Sequence, residues 1–194
     1  MNSVRSVALP CWEWRTFISH LDLESLGLDI SECATRSEIR ILSLVSAHDV
    51  RIREGRLKLA WRKQVSRDGL ELWDPVLEST FPLATDFVSR LFVAWGLGKP
   101  TLTLPEIAES VFLEGVVAEN PSLRVVTLSM QERNFQMEGV RGSHSFGKAG
   151  GVAIQTLHLT HEDPSLLSQI LQKTGLSNYP NTNFPQGLKQ ALDL

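Results

Sequence analysis

Cysteine is scarce in this chain. Cys11 and Cys33 are the only two among 194 residues, and they stand far apart in no metal-ligand or redox spacing. A disulfide framework and a cysteine-held zinc site are thereby excluded, and both thiols are expected to be reduced and buried. Long apolar runs are missing as well, since no segment approaches the ~18 uninterrupted apolar residues of a membrane span. The opening MNSVRSVALPCWEWRTF holds an arginine and a short apolar stretch. Pro10, Glu13 and Arg15 interrupt it before a signal-peptide core of ~7 to 15 apolar residues could form, so no membrane association and a cytoplasmic location are expected. Neither sign of charge dominates: the formal net charge is −3. No global field draws in a nucleic-acid polymer, and any affinity for anions has to come from local clustering. The chain also lacks GxSxG, the Gly-Lys-Ser/Thr ending of a phosphate loop, internal repeats and low-complexity tracts.

What is present is an ordinary globular composition, 42% hydrophobic and 21% charged, of a length that one core can serve, so a single domain over 1–194 is expected. Alternation predicts strands over Val4 to Phe17, Ser37 to Ser46, Leu70 to Leu77, and in SLRVVTLSM and GGVAIQTLHLT. The stretch QERNFQMEGVRGSHSFGKAG reads as one more strand plus turns, and Ile18 to Ala34 as loop with a short helical piece. Helical spacing of Phe87, Leu91 and Trp95 predicts a helix from about Ala84 to Gly96; Leu102 to Val117 is a second helix candidate, and Pro164 to Thr174 a third, ended by Gly175. Strands in succession with helices inserted imply antiparallel connections, and closing such a sheet removes its edges.

The most informative stretch is DVRIREGRLKLAWRKQ. Glu54-Gly55 forms a two-residue turn, which sets Arg53 opposite Arg56. With side chains alternating faces, Arg51, Arg53, Arg56, Lys58 and Arg62 project one way, with Ala60 as a gap, while Val50, Ile52, Leu57, Leu59 and Trp61 project the other. A solvated outer face is one reading of this pattern. Neighbouring cations repel, however, and such a cluster persists where carboxylates or a bound anion neutralise it. Arginine grips phosphate oxygens bidentately and lysine acts as a point charge. Glu13, Glu38 and Glu71 lie on strands and either balance this basic face or supply oxygens to Mg²⁺ or Mn²⁺, with ion pairing the stronger expectation. Glu38 and Arg40 share a face. The histidines of HLTHED stand three apart, a spacing that splits them between the two faces of a strand and argues against zinc. The five tryptophans read as core and interface material.

These segments resemble the CYTH superfamily, the triphosphate tunnel metalloenzymes. WEWRTF is similar to the family's first tunnel strand, SEIRILSLVS to its second, and DVRIREGRLKLAWRKQ to its basic hairpin; GLELWDPVLESTFPL and the closing LLSQILQKTGLSNYPNTNFPQGLKQAL resemble one subgroup. The resemblance implies an α+β fold: an antiparallel, eight-stranded, closed or nearly closed β-barrel with flanking helices. It also implies that Arg15, Arg40, Arg51, Arg53, Lys58 and Arg62 bind an anionic ligand, that Glu13 and Glu71 are catalytic, and that Glu13, Glu38 and Glu71 hold Mg or Mn. Several family positions are changed. Cys11 stands where a first glutamate is expected, Ala60 and Glu78 where lysines are, LSMQ replaces a basic late strand, and QTLHLT offers Gln155 or His158 in place of a carboxylate pair. Cations kept and carboxylates lost favour a barrel that binds a phosphorylated or other anionic small molecule, with triphosphatase activity weakened or lost. The alternatives are a metal-dependent triphosphate or polyphosphate hydrolase and a non-catalytic protein-interaction scaffold; a homodimer is compatible with all three.

Overall fold

The β3–β4 hairpin shows in miniature how this sequence makes sheet. In the computed structural model, which describes residues 9–18 and 30–194, β3 is Asp49–Arg53 and β4 is Arg56–Val65. Val50, Ile52, Leu57 and Leu59 are buried while the alternate residues are not. Burying each of these side chains contributes roughly 1.5–3 kcal/mol, and a one-residue slip would expose all four, so the apolar set fixes the register. That register pairs Arg53 with Arg56 and Arg51 with Lys58. The turn residues Glu54 and Gly55 both have positive φ, 52° and 68°, the geometry whose twist matches the flanking strands.

The other strands are β1 (Cys11–Phe17), β2 (Ile30–Ser43), β5 (Glu71–Thr80), β6 (Leu83–Ala84), β7 (Glu106–Ile107), β8 (Leu123–Met137), β9 (Val140–Ala149) and β10 (Val152–His161). Eight of them close a barrel in the order β1-β10-β9-β8-β2-β3-β4-β5, and β6 and β7 form a separate pair. Antiparallel pairing holds at every junction whose register is known. The β8–β9 and β9–β10 connections repeat the first hairpin, with positive φ at Glu138-Gly139 and at Gly150-Gly151. The fold is thus the α+β antiparallel barrel expected from the sequence.

By its contacts the chain divides into two compact units. One comprises Glu38–Trp61 and Pro75–Thr127; the other comprises 9–18, 30–37, Arg62–Asp74 and Leu128–Leu194 among the described residues. The core of the first unit joins Ile41, Val50, Ile52, Leu57 and Leu59 to Phe87, Val88, Leu91 and Phe92 of α1 (Thr85–Ala94) and to Trp95. Phe112 and Val117, from a π-helical turn over Val111–Val117, complete it. The core of the second unit sets Trp14, Leu157, Leu159, Phe135 and Val140 against Leu167, Ile170 and Leu171 of α2 (Pro164–Lys173). In that unit α3 (Phe184–Ala191) lies on Phe17, where a Cβ at Gly187 would meet the Phe17 ring at 2.0 Å.

Several expectations are corrected. β2 begins at Ile30, well before Ser37, because ISECATR carries no apolar alternation to read, and residues 33–37 are mostly exposed. The Leu102–Val117 helix shrinks to its last turns, since Ile107 is buried by pairing with Leu83 in a strand. QERNFQMEGVRGSHSFGKAG holds the end of β8 and all of β9. Both cysteines are free as expected, but Cys33 is exposed and Cys11 only half-buried. Trp14, Trp73 and Trp95 are core residues, whereas Trp61 is exposed and stacks on His48. Val4 to Ala8, and positions 19–29 of the stretch read as loop, lie outside the described residues.

Candidate functional site

In the first unit the pairing of β2, β3 and β4 lines up cations from strand to strand. Arg40 is opposite Arg51 and Arg51 is opposite Lys58, with Arg53 and Arg56 paired beside them. Residues directly opposite on adjacent strands have Cβ atoms about 5 Å apart, so unshielded like charges there repel. Part of the shielding is visible. Arg40 is buried, and its guanidinium donates Nε to Glu38 Oε1 at 2.7 Å and Nη1 to Asp49 Oδ1. Burial alone would lower its pKa, but Asp49 and Glu38 outweigh burial and raise it, so Arg40 stays charged. Removing one member of such a buried set costs about 3–5 kcal/mol, which makes Arg40 part of the framework as well as of the row.

Farther along the row, Arg56 Nη1 donates to Glu78 Oε1 at 2.7 Å and Lys58 Nζ lies 3.2 Å from Glu78 Oε2. The Arg56 hydrogen bond, with help from Lys58, holds the Glu78 carboxyl below its ordinary range. Arg53 is exposed and lies 3.5 Å from Glu54. Among the described residues of this unit, five cations of the row (Arg40, Arg51, Arg53, Arg56, Lys58) stand with three carboxylates on the same strands (Glu38, Asp49, Glu78) and Glu54 in the turn. Positive charge among them is in surplus by one.

The second unit holds a different polar group. Glu13 of β1 is the register partner of Glu71 of β5, which brings two of the expected catalytic residues side by side. Each is engaged. Glu71 Oε1 accepts from Arg62 Nη1 at 2.9 Å and from Asn183 Nδ2 at 3.0 Å, and its Oε2 accepts from Trp73 Nε1 at 3.1 Å. Glu13 Oε2 lies 3.0 Å from His158 Nε2. With the carboxylate ionised, Nε2 carries the proton and donates. Burial and the neighbouring Arg15 lower the His158 pKa and outweigh the opposing pull of Glu13, so the imidazole is neutral at pH 7. Arg15 donates to Thr156 Oγ1 at 3.1 Å and lies over the Phe184 ring, 4.8 Å from its centroid.

A Mg²⁺ or Mn²⁺ ion needs several oxygens turned toward one point. Glu71 spends both oxygens on protein donors, Glu38 is bound to Arg40, and Glu13 to His158. Among the described residues no group of three His, Cys, Asp or Glu side chains could hold a metal ion. As the described residues present it, this donor set does not fit a divalent cation.

The residues expected to bind an anion therefore fall into two places: Arg40, Arg51, Arg53 and Lys58 in the first unit, Arg15 and Arg62 in the second. Asp49 is absent from the expected site, although it has the same parity as Arg51 and Arg53 and alternation alone puts it on the row. Trp73 and Asn183 lie in the two segments, GLELWDPVLESTFPL and LLSQILQKTGLSNYPNTNFPQGLKQAL, that carry the resemblance, but the sequence assigns neither a bond to Glu71. His158 is considered from sequence as a zinc ligand and as a substitute for a missing carboxylate, not as the partner of Glu13. Asn183 caps α3 by accepting from Gln186 N at 2.9 Å, and Asn-Phe-Pro-Gln is a readable helix start.

No family model matches the chain, and no curated protein matches it. Solved structures similar to it include the PH1012 protein from Pyrococcus horikoshii OT3, at 11% identity and a TM-score of 0.45 over 90% of this chain and 97% of that one. Another is a putative adenylyl cyclase, HpAC1 from Hippeastrum, described as having a dominant triphosphatase activity, at 14% identity and 0.45 over 85% and 88%. A third is a putative adenylate cyclase from Bacillus halodurans, at 14% identity and 0.47 over 90% and 95%. The barrel itself is established by strand order and register, and the activities named belong to those proteins.

Proposed function

We propose that this barrel protein binds a phosphorylated or otherwise anionic small molecule on the cation row of β2, β3 and β4, and that metal-assisted triphosphate hydrolysis is weak or lost. The carrying observation is the cross-strand alignment of Arg40, Arg51 and Lys58, with Arg53 and Arg56 beside them, in surplus over its carboxylates. Phosphate oxygens answer that charge, with the arginines offering paired donors and Lys58 a point charge. The weak turnover follows from the engagement of Glu13, Glu38 and Glu71, the carboxylates a metal would need. Without a cation to neutralise the phosphoryl group and place the water, binding energy has no route into catalysis.

Calorimetric titration with inorganic tripolyphosphate tests the binding half. The expected result is a single site whose affinity falls with salt. Arg51→Ala and Lys58→Ala should each weaken it about tenfold, the loss of one charge-assisted hydrogen bond of ~1.5 kcal/mol. Absence of binding at moderate salt by tripolyphosphate, nucleotides and polyphosphate alike would sink the reading. Phosphate release measured with Mg²⁺ or Mn²⁺ tests the other half: little release is expected, and rapid release abolished by Glu13→Gln or Glu71→Gln would restore the hydrolase.

A further inference from the structure

Glu78 differs from the other carboxylates on the cation row in how it is held. Its two oxygens serve two cations, Oε1 receiving Arg56 at 2.7 Å and Oε2 facing Lys58 at 3.2 Å, as a bridging ligand anion would. The side chain is 32% exposed, against 16% for Asp49 and 1% for Glu38, which lock the buried Arg40. Arg56 and Lys58 are themselves 33% and 43% exposed. An ion pair open to water to this degree is weak and separates readily, whereas breaking the Arg40 set would strand a buried charge. Of the three carboxylates on the strands of the row, Glu78 is the one an incoming anion can replace; Glu54, in the turn, is more exposed but meets only Arg53, at 3.5 Å, and bridges no pair of cations.

From this geometry we infer that Glu78 is a tethered competitor: it occupies the Arg56–Lys58 end of the site until a ligand anion displaces it. The inference rests on the anion-binding reading and adds selectivity to it. A singly charged carboxylate entering from solution merely exchanges one carboxylate for another and gains little. A phosphate carrying about two charges gains from the exchange. The row should therefore discriminate by ligand charge, rejecting simple carboxylates and admitting phosphorylated molecules, and Glu78 should set that threshold.

The test is calorimetric titration of the full chain with inorganic tripolyphosphate and, separately, acetate. Wild type, Glu78→Gln and Asp74→Asn are compared, the last removing one negative charge from the Lys63–Asp74 pair elsewhere. Thermal melts confirm that both variants are folded. Glu78→Gln should bind tripolyphosphate about tenfold more tightly and begin to bind acetate, with Asp74→Asn within about twofold of wild type. If wild type fails to bind but Glu78→Gln binds, Glu78 blocks the row outright: the competitor role is supported, and the reading of the wild-type protein as an anion binder falls. If wild type binds and Glu78→Gln binds equally or more weakly, or if Asp74→Asn tightens binding as much, the competitor role is overturned and the anion site survives. If neither wild type nor Glu78→Gln binds, the anion site falls and the competitor with it.

Discussion

His158 shows how a single residue can tie the polar wall of the second unit to pH. Its Nε2 reaches Glu13 at 3.0 Å, a contact that would be an ion pair if the imidazole were charged, yet burial and Arg15 hold its pKa below the ordinary 6.5. His144 is lowered too, by burial and by Arg133. The sign follows from proton counts. Between the lowered folded pKa values and 6.5 the unfolded chain binds more protons than the folded one, so acid favours unfolding. Stability contributed by the neutral imidazoles is complete above pH 6.5 and is lost as pH falls through the folded values, at up to about 1.4 kcal/mol per pH unit for each proton of difference. Urea midpoints at pH 7.5 and 5.5 should show the loss, and His158→Gln, which keeps an N–H donor for Glu13, should reduce it; an unchanged difference would remove His158 from the account. The site was partly legible at this scale. Period two places Glu13, Glu71 and the cations on their strands, but Glu71 also receives a donor from Asn183, 112 residues away, and pairings over such distances follow from the fold and not from local pattern.

At the scale of elements, the hairpins carry a testable inconsistency between sequence and backbone. Glu54 adopts φ 52° in the β3–β4 turn. A side chain in the left-handed region costs roughly 1–2 kcal/mol, less for asparagine, whose short amide tolerates it. Glu54 returns only an exposed contact with Arg53 at 3.5 Å. Glu54→Asn should therefore raise stability by about 0.5–1 kcal/mol, and Gly55→Ala, at φ 68°, should lower it by about 1 kcal/mol. Equilibrium unfolding of the two variants checks this, and destabilisation by Glu54→Asn would show that the glutamate has a stabilising role beyond that contact. The same Glu-Gly pair recurs at Glu138-Gly139, where β8 turns into β9, yet no hairpin was read there. The difference is instructive. Around Glu54 alternate residues are sharply apolar and basic, whereas β9, VRGSHSFGKA, is rich in glycine and serine and offers little periodic contrast. Sheet position, and not residue pattern, makes it a strand. The early part of β2, ISECATR, likewise offers no periodic apolar contrast.

At the scale of the whole molecule, edge removal suggests closure from the sequence, but the eight strands of the barrel come only from the resemblance, because ring order depends on which distant strands meet, as β1 does with both β5 and β10. Charge, by contrast, can be argued from the full chain. The five cations of the row and its four carboxylates, Glu54 of the turn included, contribute a surplus of one, so with a net charge of −3 the remaining residues carry −4. A small anion seated on the row senses mainly its immediate neighbours, because charges beyond about 10 Å are screened at 0.1 M salt. A nucleic-acid duplex carries one negative charge per ~1.7 Å of axis and needs an extended basic surface to release its counterions. It would meet the acidic remainder as well as the row. Tripolyphosphate should thus bind at 0.1 M salt while a 20-base-pair duplex in a fluorescence-anisotropy titration shows at least about a hundredfold weaker affinity. Lowering the salt should strengthen tripolyphosphate binding before any duplex binding appears. Comparable affinities for the two would mean that the cations form part of an open basic surface, and the local-site account of this barrel would have to be abandoned.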